Sequence, residues 1–284
     1  MAIDEVGTLP VVAGVMNYLS EDSDMLRRFT APGASVNTGF YDAFAVDVHD
    51  ARAAQQPFTL ERNGFELGSH RSAVADFTDR DEVQRVYAPE VEEFVRTRLG
   101  ADEVALLGAT LRRAADPAAN DSQPAAGLVH IDFSPEGADQ HTRETYAKHF
   151  PDGAGFSRAV STSFWRVFSP PPQDWPLALV DFESVDDDEG LPNTLYFVDK
   201  IPDDPFGPID GTPRTVSGSE FHYRPSHRWY YYPNMNRDEA LFFVLHDSDH
   251  SRAWRVMHSA FLDAAAQATA PRHSIEYRTV AYFR

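Results

Sequence analysis

His130-Ile131-Asp132 sets an imidazole and a carboxylate two residues apart. In a strand, residues i and i+2 point to one face, so the two groups can converge on one ion. With a second histidine from elsewhere in the chain they make a two-histidine, one-carboxylate set. Such a set leaves open positions on Fe(II). Gly127-Leu128-Val129 leads into the pair, and Phe133-Ser134-Pro135-Glu136-Gly137 leads out as a turn. The tripeptide is short and recurs by chance, and the competing reading is the end of a surface strand.

A second constellation lies near the C-terminus. His258 is followed, after room for one strand and a turn, by Arg272-His273-Ser274. Arg272 and Ser274 share a strand face. A guanidinium fork with an added hydroxyl suits a carboxylate, such as the distal one of 2-oxoglutarate. Arg278 shares that face if the strand is regular and is the alternative clamp. The competing reading pairs Arg272 with a surface acid. A rival metal motif is His246-Asp247-Ser248-Asp249-His250, whose two histidines would bind zinc for hydrolysis if the segment were helical. It follows Leu241-Phe242-Phe243-Val244-Leu245, which reads as a buried strand, so a polar turn is the competing reading. His141, His149, His222, His227 and His273 read as surface or hydrogen-bonded residues. No Gly-x-Ser-x-Gly, P-loop or dinucleotide glycine pattern occurs.

The elements that must position these groups are mostly strands. Ser163–Phe168, Leu177–Val185, Thr194–Val198, Glu220–Tyr223, Arg228–Tyr232, Ala240–His246, Arg255–His258 and Ser274–Phe283 are rich in Val, Phe, Tyr and Trp and are separated by turn residues. Helices are expected over Asp81–Leu99, stopped by Gly100, and over Gly137–Phe150. Loop-like tracts stand at Ala114–Ala126, Ser169–Gln173, Asp186–Asn193 and Pro202–Pro213, the last rich in Pro, Gly and Asp and read as a surface loop or lid. The pattern predicts a mainly β fold, a β-sandwich or jelly roll, with flanking helices and an α+β N-terminal part. One domain over 1–284 is expected, with 1–126 as the N-terminal portion and 127–284 as the jelly-roll core. The aromatic runs Phe164-Trp165 and Trp229-Tyr230-Tyr231-Tyr232 are core by default. Trp165, Arg166 and Tyr231 are candidates for the substrate pocket.

Composition narrows the function. Asp+Glu is 44 against Lys+Arg 25, a formal charge of -19, which repels phosphate backbones and anionic lipid. No nucleic-acid or membrane partner is therefore expected. Cysteine is absent, which excludes disulfides, thiolate metal sites and a cysteine nucleophile. The N-terminus carries Asp4 and Glu5 where a signal peptide needs a basic region, so a cytoplasmic setting is expected.

Several ordered stretches resemble the CmcJ/NvfI-like (AsaB-like) family of Fe(II)/2-oxoglutarate oxygenases, from about Val36 to Phe283. Val46-Asp47-Val48-His49-Asp50-Ala51-Arg52 and Phe58-Thr59-Leu60-Glu61-Arg62-Asn63-Gly64-Phe65-Glu66-Leu67 look like the family's opening strands, and Tyr87-Ala88-Pro89-Glu90-Val91 like its first long helix. Ser163-Phe164-Trp165-Arg166, Pro176-Leu177-Ala178-Leu179-Val180-Asp181, His227-Arg228-Trp229-Tyr230-Tyr231-Tyr232-Pro233-Asn234-Met235 and Asp238-Glu239-Ala240-Leu241 continue it. His258-Ser259-Ala260-Phe261 and Pro271-Arg272-His273-Ser274-Ile275-Glu276-Tyr277-Arg278 close it. The resemblance implies a double-stranded β-helix (cupin-like) with iron at one end. It implies hydroxylation, desaturation or cyclisation of a small molecule, often a secondary metabolite, using Fe(II), 2-oxoglutarate and O2 and releasing succinate and CO2. It makes His130, Asp132 and His258 the iron ligands and Arg272 with Ser274 the cosubstrate clamp. Ser163 stands where the family often has Asn, and His246 where another residue is usual; both departures are expected to bear on the substrate pocket. The alternative from another class is a cupin-like metal- or metabolite-binding protein without turnover, with a zinc hydrolase using His246 and His250 a third reading.

Overall fold

The computed structural model describes residues 9–23, 25–113, 125–209, 211, 213–263 and 270–284. The chain runs β1 (Val11–Leu19), β2 (Arg27–Ala31), β3 (Ala34–Asn37), β4 (Tyr41–Asp50), a helical turn α1 (Leu60–Asn63) and β5 (Phe65–Ser69). Next, α2 (Arg80–Glu82) passes through a π-helical turn at Val83–Tyr87 into α3 (Ala88–Leu99), followed by β6 (Glu103–Arg113), β7 (His130–Ile131) and α4 (Pro135–His149). Then come β8 (Arg158–Val167), β9 (Leu177–Val180), β10 (Leu191–Phe197), β11 (Arg214–Glu220) and β12 (Trp229–Tyr231). The chain closes with β13 (Glu239–Asp247), β14 (His258–Ala260), β15 (Leu262–Asp263) and β16 (His273–Phe283).

Two sheets form the body. The larger has the order β15-β1-β4-β12-β9-β14-β7-β11-β10-β2-β3, the smaller β5-β13-β8-β16-β6. This is the mainly β architecture the strand-rich pattern predicts. Strand alternation divides the apolar side chains. Leu179 and Tyr230 join Trp165, Leu241 and Phe243 in one buried cluster. Their neighbours Ala178, Val180 and Trp229 join a second cluster on the other face of the larger sheet. The outer face of the smaller sheet packs Phe164, Phe242 and Tyr277 against Val91 and Val95 of α3. Strands from the first fifty residues are woven into the larger sheet: β4 pairs with β12, and β2 with β10.

Several boundaries differ from expectation for local reasons. Phe58–Leu67 is not one strand. The Thr59 side chain accepts from Arg62 N and starts α1, Gly64 closes it at φ 84°, and β5 begins only at Phe65. The expected strand Leu177–Val185 stops at Val180 because Asp181 caps a short 3₁₀ turn at Phe182–Ser184. Strand β11 ends at Glu220, where the sequence suggests a start, and β14 begins at His258 rather than ending there. Residues 114–124 of the Ala114–Ala126 tract lie outside the described residues, as do Asp210 and Thr212 in the 202–213 loop. That loop joins β10 to β11 without regular structure in its described part, and Arg27 Nη1 donates to the carbonyls of Pro205 (3.3 Å) and Gly207 (2.7 Å). Among the described residues no helix is long and apolar enough to cross a membrane.

Candidate active site

β7 is two residues long and sits between β14 and β11. Its pairing places His130 directly opposite His258, with ring centroids 4.5 Å apart. Asp132 follows immediately, before the chain turns into α4. That turn is fixed twice: Ser134 N donates to Ser217 O (2.7 Å), and Ser134 Oγ accepts from Gly137 N (3.1 Å). Gly218 keeps β11 close by, since a Cβ there would lie 2.8 Å from the Ile131 carbonyl. One ligand atom from each of His130, Asp132 and His258 lies within 4.8 Å of the others.

The imidazoles are held in one tautomer. His130 Nδ1–H donates to Leu128 O (2.7 Å) and His258 Nδ1–H to Val256 O (3.1 Å). A carbonyl can only accept, so each Nε2 keeps its lone pair for a metal. Burial, aided by the neighbouring His130, lowers the His258 pKa to about 4, so the ring is neutral and ready to ligate. Burial alone would raise the Asp132 pKa. The Arg278 guanidinium, helped by both histidines, overrides it and holds the carboxyl well below the usual carboxylate range. Arg278 Nη2 stands 3.0 Å from Asp132 Oδ2, a charge contact whose N–H is not aimed as a hydrogen bond. Arg278 is itself gripped by Glu276, with Nε 3.0 Å from Oε1 and Nη2 3.2 Å from Oε2, and Ser163 Oγ donates to Glu276 (2.9 Å). The three candidate ligands come from the larger sheet. Arg278 and Glu276, which press on Asp132 from the other side, come from the smaller one.

Two cavities meet at this point. The larger, about 680 Å³, runs from His130 and Asp132 towards Arg28 and Phe197. The smaller is lined by His130, His258, Trp165, Leu177, Phe243 and Arg272 among others, and Arg112, His130 and Arg278 border both. Arg272 is only 4% exposed. Its guanidinium stacks over Trp165 (5.4 Å to the ring centroid) and donates to the Trp175 carbonyl. Among the described residues no carboxylate forms an ion pair with it; Asp174 accepts from its backbone N–H instead (2.7 Å). Burial, and then the like charge of Arg112, push its pKa down to about 9. On the same strand face Ser274 is fully buried, and its Oγ has no hydrogen-bond partner among the described residues. A buried cation and a buried hydroxyl, both short of partners, fit the distal carboxylate of a keto acid. Two imidazoles and one carboxylate fit Fe(II) with positions left open.

Other residues singled out in the sequence lie elsewhere. Trp165 faces the smaller cavity, whereas Arg166 projects from the opposite face of β8 and is 0% exposed. There it donates to Tyr87 Oη (3.0 Å) and to the carbonyls of His70 and Arg237 (3.1 Å each), so it ties the π-helical turn before α3 and two loops to the sheet and lines neither of these cavities. Tyr231 also points away, packing edge-on against Phe261 at 5.4 Å. The zinc arrangement at His246 and His250 does not form, because β13 runs through Asp247 and the rings meet edge-to-face at 5.5 Å. Asp247 is taken by Arg158, so that segment stays apart from both cavities. Glu276, which holds Arg278, and Arg28, which lines the larger cavity, are not singled out as site candidates by the sequence motifs. Glu276 was reachable, since it lies midway between Ser274 and Arg278 on one face. Arg28 sits alone in a stretch without signal.

The family model described as "Oxidoreductase/YMDC permease-like domain" matches residues 16–282. The chain is 29% identical over 250 residues to the "Alpha-ketoglutarate-dependent dioxygenase phiK" of a fungal species, covering 85% of each chain. It is 27% identical to the "Hydroxylase/desaturase efuI" of Hormonema carpetanum, covering 96% of each. Among solved structures, the "iron and alpha-ketoglutarate-dependent endoperoxidase NvfI" superposes with a TM-score of 0.78 at 22% identity, over 96% of this chain and 98% of that one. The two chains share one fold.

Proposed function

The chain belongs to the oxidoreductase family of that model, and on this premise we propose that it is an Fe(II)/2-oxoglutarate-dependent oxygenase of a small-molecule, secondary-metabolite-type substrate. The relatives' names support this reading. The observation that carries it is the convergence of ligand atoms of His130, Asp132 and His258 to within 4.8 Å, beside a buried arginine with no carboxylate partner among the described residues. We take the whole chain as one oxygenase domain, because its first strands complete the same sheet that carries the ligands.

In this reading His130 and His258 ligate through Nε2, and Asp132 through the oxygen turned from Arg278. Bound iron, with 2-oxoglutarate and O2, supplies the oxidising power and yields succinate and CO2. The rest is the work of the chain. Arg272 and Ser274 bind the distal carboxylate of 2-oxoglutarate, giving the buried cation its counter-charge. Trp165, Leu177 and Phe243 keep that end dry, which strengthens the pair. Arg278, steadied by Glu276, keeps Asp132 ionised and fixes its orientation. The larger cavity holds the substrate against the open side of the triad.

The test is anaerobic titration of Fe(II) and 2-oxoglutarate into the protein, then oxygen uptake with succinate measured. The reading predicts one iron per chain, a visible band that needs both additions, and succinate formed in step with oxygen consumed. Absence of iron binding, or oxygen uptake indifferent to 2-oxoglutarate, refutes it.

A further inference from the structure

The larger cavity ends on a cation. Arg28 lies on β2, beside Leu195 of β10 and Asn37 of β3. Its Nε is buried and finds no hydrogen-bond partner among the described residues. A buried donor on a charged group is costly to leave unmade. Around it the wall mixes apolar Phe29, Val36, Leu195 and Phe197 with polar Thr30, Ser35 and Asn37. The acids of the cavity are already engaged. Asp132 faces Arg278. Glu220 accepts from Tyr41 Oη (2.6 Å) on one oxygen and from Asn193 Nδ2 (2.8 Å) on the other. A chain of net charge -19 thus keeps, among its described residues, a guanidinium with an unmet N–H in the larger cavity.

From these observations we propose that the substrate is an apolar molecule carrying a carboxylate, and that Arg28 receives that carboxylate. The proposal rests on the oxygenase reading for what happens at the other end. The pairing sets the length: three strand spacings, roughly 14 Å, and a four-residue stagger along the strands (Arg28 aligned with Val216, His130 with Glu220), roughly 13 Å, put the two Cα atoms roughly 19 Å apart, and the side chains of Arg28 and His130 take up part of that span. A rigid polycyclic acid spans that gap and presents a carbon near His130 and Asp132 while its carboxylate meets Arg28. A short acid of the size of 2-oxoglutarate does not reach both ends. Asn193 Oδ1, buried and without a partner on the same wall, accepts a hydroxyl from such a molecule. The nearby charge of Glu220 opposes an anion, so the preference for the acid is expected at about tenfold, which is about 1.4 kcal/mol, rather than a hundredfold.

The test uses three probes of one skeleton: dehydroabietate, its methyl ester and dehydroabietylamine. Each is titrated calorimetrically into the full chain, with and without Mn(II) and 2-oxoglutarate. The native protein is expected to bind the acid about tenfold tighter than the ester or the amine. Arg28→Gln should bring acid and ester within about threefold, Arg28→Lys should keep part of the preference, and Mn(II) affinity should stay unchanged in both. No binding of the acid, equal binding of acid and ester, or a preference that survives Arg28→Gln and disappears in Arg112→Gln overturns the assignment. Failure of Mn(II) or 2-oxoglutarate to bind in the same titrations overturns the oxygenase reading instead, because the acid–ester comparison is also read without them.

Discussion

Replacing Arg272 by methionine should separate binding from folding. The side chain is 4% exposed, stacked on Trp165, and pairs with no carboxylate among the described residues. Burial, then the like charge of Arg112, bring its pKa from 12.5 to about 9, with Asp174 opposing. That shift is worth roughly 5 kcal/mol against the charged form. The free protein therefore carries this cation at a cost, and methionine fills similar space with none. Arg272→Met should leave the cosubstrate-free protein as stable as before or up to about 4 kcal/mol more so, as when other buried ions give way to apolar side chains. Its 2-oxoglutarate would meet no counter-charge, a loss of ~3–5 kcal/mol, or at least about a hundredfold in the apparent constant. Arg272→Lys should recover only part, since an ammonium lacks the planar fork. Urea unfolding without ligand and 2-oxoglutarate titrations followed by succinate read the two effects separately. If Arg272→Met binds 2-oxoglutarate normally while Arg278→Ala does not, the clamp is Arg278 and the reasoning fails. So does a marked loss of stability in Arg272→Met.

Other outcomes follow from the same geometry. His130→Ala, Asp132→Ala and His258→Ala should each abolish metal binding and turnover, whereas His246→Ala and His250→Ala should leave metal stoichiometry at one per chain by mass spectrometry of the intact holoprotein. Glu276→Gln loosens the grip on Arg278 and should weaken Mn(II) binding about tenfold, the scale of other outer-shell losses; unchanged affinity in an equilibrium titration would show Asp132 needs no such support. Gly218→Ala should push the Ile131 carbonyl and weaken Mn(II) binding as well, while an alanine tolerated with full affinity would mean β11 can retreat. His246 is buried, and that burial, with the charge of His250, lowers its pKa to about 4 from 6.5. The native chain therefore refuses a proton that the unfolded chain accepts between those values. Its stability is whole above pH 6.5 and falls as pH drops towards 4, by roughly 2 kcal/mol at pH 5. Urea midpoints for His246→Phe should lose that part of the slope; an unchanged slope would place the acid sensitivity elsewhere.

The sequence made the convergence of the candidate ligands legible in part because the geometry of His130 and Asp132 is local. His130 and Asp132 are two residues apart, and period-2 alternation suffices to turn them together. The same rule carries from Arg272 through Ser274 and Glu276 to Arg278, where the ladder with β6 first bulges. It also decides against Arg166 once Trp165 faces inward, and Tyr231 goes outward with Trp229. What one strand cannot reveal is which face is inside, since both faces of β8 and β12 are buried and apolar periodicity is silent there. The cross-strand pairing of His130 with His258 depends on chain closure over more than a hundred residues. The π-helical turn before α3 is set by tertiary packing of Val83 and Tyr87 against the smaller sheet, and helix periodicity does not foretell it.

The larger sheet places β2 and β3 at one rim, laddered to the other strands through β10, while β7 and β14 sit at its middle. On the proposed reading, oxidising chemistry and substrate recognition are thereby inherited on different parts of the chain. An exchange of residues within 27–37 reshapes the far end of the cavity and leaves the central histidines in register. Lineages built on this plan can therefore try new metabolites by altering one edge hairpin, with the reactive centre carried along unchanged. A designer could do the same by grafting that hairpin from a relative.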